Sequence, residues 1–166
     1  MTSKYVPPVL SAGLGLVMAG AASAEVLRHP IPGSDFPVAL AIEIPASTTL
    51  VNFSGAVPRV TAPENPRDSI AAYGDTERQT VDTLEQLRQS LEKLGLGMGD
   101  IVRMQVFLVG DPALNGRMDF AGFMRGYQRF FGNASQPLLP TRSVVQVAGL
   151  ANPGFLVEIE ISAARR

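Results

Sequence analysis

Two hydrophobic periods divide this chain. Val81, Leu84, Leu87, Leu91 and Leu94 step by three or four residues and so share one face of a helix. Thr76 and Gln79 have capping-box spacing, and Asp75 and Glu77 put negative charge at the positive end of that helix. Lys93 falls in its last turn, and Gly95 and Gly97 end it. Met118, Ala121, Met124, Tyr127 and Phe130 or Phe131 recur with the same spacing, which predicts a second amphipathic helix stopped at Gly132-Asn133. Its aromatic stripe reads as core rather than as a cofactor box.

The other period is two. Strands are predicted over Val38–Ile44, Thr49–Phe53, Ile101–Val109, Arg142–Ala148 and Phe155–Ala163. Ile101–Val109 is apolar enough for a central place in the sheet. The last two strands are separated by a short run with a glycine at each end, which predicts an antiparallel hairpin with Ala148 opposite Leu156. That register puts Arg142, Val144, Gln146, Glu158 and Glu160 on one face, and Ser143, Val145, Val147, Val157, Ile159 and Ile161 on the other. Residues 25–36 read as an irregular lead-in and residues 56–74 as a long loop. The order β-β-α-β-α-β-β predicts an α+β domain with both helices on one side of a mostly antiparallel sheet.

The first 24 residues stand apart. Lys4 is their only charged side chain, the run from Val9 to Met18 is apolar, and Ala19-Gly20-Ala21-Ala22-Ser23-Ala24 follows. This is the pattern of a secretory signal with small residues at the cleavage point, so cleavage after Ala24 and a periplasmic or secreted location are expected. No later segment is long and apolar enough to span a bilayer.

Composition narrows the chemistry. Of 166 residues 46% are hydrophobic, which supplies a core, and the net charge of -1 argues against a dedicated nucleic-acid binder. With no cysteine and His29 as the one histidine, thiolate nucleophiles, Ser-His-Asp sets and His-rich or Cys-based metal sites are excluded. Gly95-Leu96-Gly97-Met98-Gly99 closes a helix instead of opening one and so is not a phosphate loop. Arg142 remains, with Glu158 and Glu160 as acidic neighbours. An arginine can grip a carboxylate with two parallel hydrogen bonds, and a carboxylate on a sheet can position water or move a proton. An Arg–Glu salt bridge within the sheet is the simpler alternative.

Several motifs carry a resemblance. They are Phe53-Ser54-Gly55-Ala56-Val57-Pro58, Gln79-Thr80, Gly99-Asp100-Ile101-Val102, Tyr127-Gln128-Arg129-Phe130-Phe131, Pro140-Thr141-Arg142-Ser143-Val144-Val145-Gln146-Val147 and Val157-Glu158-Ile159-Glu160. Together they resemble the RidA/YjgF family of enamine/imine deaminases, some of whose members are called endoribonucleases. The resemblance implies a chorismate mutase-like fold over residues 37–166 and a homotrimer with clefts between subunits. It implies a cofactor-free and metal-free hydrolysis of a 2-imino or 2-enamino acid to a 2-keto acid and ammonia. Arg142 would bind the substrate carboxylate, the main chain at Val144 would face the imine nitrogen and the water, and Glu158 would position that water. Ser54 and Gly55 would contribute to substrate binding. Three positions depart from the family pattern: a tyrosine is replaced around Val38, an asparagine by Met124, and an acidic residue by Gln146. A non-catalytic trimer that binds small carboxylates, or acts like a chaperone, is therefore the alternative. The implied partners are an imino or keto acid and further copies of the chain, with no nucleic acid and no membrane.

Overall fold

Both helices form where the apolar spacing predicts them, but their ends are set by other residues. The computed structural model describes Met1 and residues 25–165; the expected leader lies, beyond Met1, outside them. Helix α1 spans Thr76–Lys93, and its cap is Asp75, whose carboxylate accepts from Arg78 N–H at 2.9 Å. The predicted Thr76–Gln79 capping box does not form. Gln79 is fully buried and turned inward: its amide nitrogen donates to the carbonyls of Gly74 (2.9 Å) and Gly154 (3.0 Å), and its oxygen accepts from Leu156 N–H (2.7 Å). At the other end Gly95 adopts a left-handed φ of 70°, whereas Gly97 is extended and donates its N–H to the Asp100 carboxylate. Helix α2 is shorter than its pattern, Phe120–Tyr127, because Asp119 caps it after Met118 and the chain leaves helical geometry before Phe130.

The strands are β1 (Leu27–Pro30), β2 (Ala39–Glu43), β3 (Thr49–Ala56), β4 (Ile101–Val109), β5 (Thr141–Val147) and β6 (Val157–Arg165). Strand β1 lies in the segment expected to be irregular and pairs antiparallel with β2. Arg28 fastens it, donating to the carbonyls of Leu139 and Gly99. The other four strands form a mixed sheet in the order β3-β6-β4-β5. Strand β4 is central, as its apolar run predicts.

The expected β5–β6 hairpin is overturned. Strand β5 runs parallel to β4, with Val106 opposite Val144, and β6 pairs antiparallel with the other edge of β4, with Phe107 opposite Glu158 and Gln105 opposite Glu160. The connection therefore crosses two strand spacings, about 9.6 Å, which nine residues span easily. Gln79 pins it through Gly154 and Leu156, and Asn152 donates to the Arg67 carbonyl. Both edges of β4 are thereby paired, and an apolar strand is buried in the middle of the sheet.

Moving β5 changes the faces. Met104, Val106, Leu108, Val157, Ile159 and Ile161 pack in one core cluster with Leu84, Leu87, Leu91, Phe123, Tyr127 and Phe131 from the helical layer. Val144 joins that side. Strand alternation then leaves Glu158, Glu160 and Ser162 on the opposite, open face with Ser143 and Val145. The expected shared face for Arg142 and Glu158 is therefore wrong, and the arginine on the open face is Arg103. Among the described residues no helix is long and apolar enough to cross a membrane.

Candidate functional site

Arg142 enters the sheet as the second residue of β5 and points toward α2. Its guanidinium carbon lies 4.2 Å from the centre of the Tyr127 ring, 5.1 Å from Phe123 and 5.4 Å from Phe36. Nη2 approaches the Met124 sulfur at 3.3 Å, and the buried Nη1 has no hydrogen-bond partner among the described residues. A thioether is a weak acceptor, and among the described residues no carboxylate pairs with this cation. The simpler alternative of an Arg142–Glu158 salt bridge is not what the fold builds.

Burial lowers the pKa of Arg142, while Tyr127 opposes that shift. The guanidinium still remains charged in any ordinary buffer. Burial also pushes the Tyr127 hydroxyl up to about 12, so it stays neutral, and it donates to the Pro37 carbonyl at 3.0 Å. That bond holds the segment that carries Phe36. The stack on Arg142 thus draws on a loop and a helix far apart in sequence.

Val144 follows two residues later on β5, the outer strand of the sheet. The Pro140 carbonyl faces outward, where Ala39 N–H reaches it at 3.0 Å. Peptide groups alternate edges along a strand, which puts those of Arg142 and Val144 on the same outer edge. Gln146 serves the fold: its oxygen accepts from Met118 N–H (2.9 Å) and its nitrogen donates to the Gly116 carbonyl (2.8 Å).

Ser54 and Gly55 belong to β3, at an irregularity in its pairing with β6 between Phe53 and Ala56. The Glu158 carboxylate lies directly over Gly55: a Cβ there would stand 2.0 Å from Oε1. Gly55 and Glu158 therefore form one group, with the exposed Ser54 next to Gly55 on β3. The next stretch of the open face is a groove of about 350 Å3 lined by Asn52, Arg103, Gln105, Glu160 and Ser162.

The predicted site residues thus fall into two sets. Arg142 and Val144 sit at the β5 edge on the helical side. Glu158, two strands away, and Gly55, three strands away, sit on the open face. The sheet stands between them, so one chain does not bring them together. The sequence reading missed Phe36, Phe123 and Tyr127 as partners of Arg142. For Tyr127 the signal was the aromatic stripe of α2, which is core and guanidinium stack at once; Phe123 lies on α2 outside that stripe, and Phe36 lies in the segment before β2. Among the described residues no three acidic, histidine or cysteine side chains converge as a metal site would require. The groups offered to a ligand are a cation, main-chain edges and single carboxylates.

Residues 38–165 match the profile of the family described as Endoribonuclease L-PSP. A RutC family protein from Haemophilus influenzae is 38% identical over 118 residues, which is 70% of this chain and 80% of that one. The 2-iminobutanoate/2-iminopropanoate deaminase of Salmonella typhimurium is 36% identical over 104 residues, 63% of this chain and 74% of that one. Among solved structures, TdcF of E. coli with bound serine superposes with a TM-score of 0.54 at 32% identity, covering 74% of this chain and 85% of that one.

Proposed function

The chain belongs to the RidA/YjgF/L-PSP family, and from that premise we propose that it hydrolyses 2-imino and 2-enamino acids to 2-keto acids and ammonia. The observation that carries the reading is Arg142: a half-buried cation, stacked on aromatic rings, with its inner nitrogen unpaired and no carboxylate partner among the described residues. Burying a charge without a partner is costly, and a substrate carboxylate supplies that partner. The names of the relatives point the same way, because an iminobutanoate and serine both carry such a carboxylate.

In this reading Arg142 holds the carboxylate next to C2. The main chain of Val144 faces the imine nitrogen at the β5 edge. Glu158 orients a water that adds to C2, forming the new C–O bond; proton transfer to nitrogen then lets the C–N bond break and ammonia leave. Glu158 comes from a neighbouring copy, because within one chain it lies across the sheet from Arg142. A homotrimer with three such clefts is the proposed assembly. Apolar side chains left exposed support contact between copies: Leu40 at 60%, Leu50 at 48% and Val145 at 41%.

The test is to generate 2-aminoacrylate or another 2-imino acid and follow keto-acid release. The expected result is a rate that Arg142→Ala abolishes. A rate no higher than that of Arg142→Ala overturns the proposal, and keto-acid binding without turnover would favour the non-catalytic carboxylate binder.

A further inference from the structure

Resting on the reading of Arg142 as the carboxylate anchor, we infer that Met124 makes this cleft select substrates with an apolar substituent over those with a hydroxylated one. Phe123 and Tyr127 stack on the guanidinium but are themselves fully buried. Of the side chains that touch the guanidinium itself, two reach the surface: Phe36, which is exposed, and Met124, which is half-buried. Both are apolar. A ligand whose carboxylate meets the guanidinium from solvent lays the rest of its body against them.

The thioether contributes in two ways. It holds Nη2 at 3.3 Å through a weak N–H···S contact. A carboxylate displaces that contact more easily than it would displace an amide or carboxylate oxygen. It also has no donor and only a poor acceptor for a hydroxyl. A hydroxylated substituent placed there gives up bonds to water and gains little in return. Three rotatable bonds let methionine follow substituents of different length, so the wall discriminates by polarity more than by size.

The neighbours of Met124 on α2 allow a clean substitution. Its half-buried side chain meets the guanidinium and also packs against the core, but the fully buried Phe123 and Tyr127 anchor the helix, so α2 keeps its place when residue 124 changes. Calorimetry on the intact protein would compare 2-oxobutanoate with 3-hydroxypyruvate, which are stable keto acids of similar size. The wild type is expected to prefer 2-oxobutanoate by about tenfold. Met124→Asn should erase or reverse that preference, and Met124→Leu should keep it. Far-ultraviolet circular dichroism and thermal melting check that both variants are folded. Equal binding of the two acids by the wild type, or an unchanged ratio in folded Met124→Asn, overturns the selectivity while leaving the Arg142 reading standing. Failure of the wild type to bind either acid overturns both.

Discussion

Gln79 shows how much one side chain can carry. Its amide satisfies three backbone groups in the interior: the carbonyls of Gly74 and Gly154 and the N–H of Leu156. Gln79→Leu fills similar space but strands all three. An orphaned buried polar group costs about 1–3 kcal/mol, so chemical denaturation should show a loss of roughly 3 kcal/mol or more. A loss within the noise would mean water replaces the amide. Gly55 poses the opposite case, a residue needed for what it lacks. The Cβ of Gly55→Ala would meet the end of the Glu158 side chain at 2.0 Å. That end is flexible, so the fold should survive with a melting shift of a few degrees, about what 1 kcal/mol produces. Turnover should fall by roughly a hundredfold if Glu158 positions the water. Unchanged turnover would remove Glu158 from the mechanism. Neither role was visible beforehand: Gln79 looked like a cap because the capping box and an inward bracket use the same residue at the same spacing.

At the scale of elements, an ion-pair clamp joins the helices. Glu77 of α1 accepts from Arg125 and Arg129, each at 2.6 Å. The hydrogen bond from Arg125 is the largest of the influences that hold the Glu77 carboxyl below its ordinary 4.5. A group with a depressed folded pKa stabilises above its unfolded value and loses that contribution as pH falls through the folded one. Wild type should therefore melt above Glu77→Gln at pH 7, by a small margin because the pair is exposed, and the two should converge below 4.5. A gap that persists in acid would show that the clamp acts by something other than charge. The helices themselves were legible because leucines and aromatics at 3.6-residue spacing leave few alternatives. Strand partners were not. Period-two alternation tells which residues share a face within one strand, but not which strand lies alongside, and nine residues can either turn back or step across β4.

For the whole molecule, the separation of Arg142 from Glu158 becomes a prediction about copies. If a working cleft takes Arg142 from one chain and Glu158 from another, two inactive variants should rescue each other. Arg142→Ala and Glu158→Ala, unfolded together and refolded at equal ratio, should regain about a quarter of wild-type activity, because about one interface in four then joins two intact halves. Each variant alone should remain inactive. No recovery in mixed assemblies of confirmed mass would place the whole reaction within one chain and contradict a shared cleft.

The sequence by itself determined the two helices, the central place of β4, the α+β class and the identity of the residues that carry the family motifs. Those follow from local periodicity and from side-chain chemistry, which a linear chain displays. Tertiary structure decided that β5 lies parallel to β4, that Arg142 turns toward Phe36, Phe123, Met124 and Tyr127, and that Glu158 faces the other way over Gly55. Those outcomes depend on which edge of β4 each distant strand pairs with, and that choice rests on burying one continuous core across residues far apart in the chain.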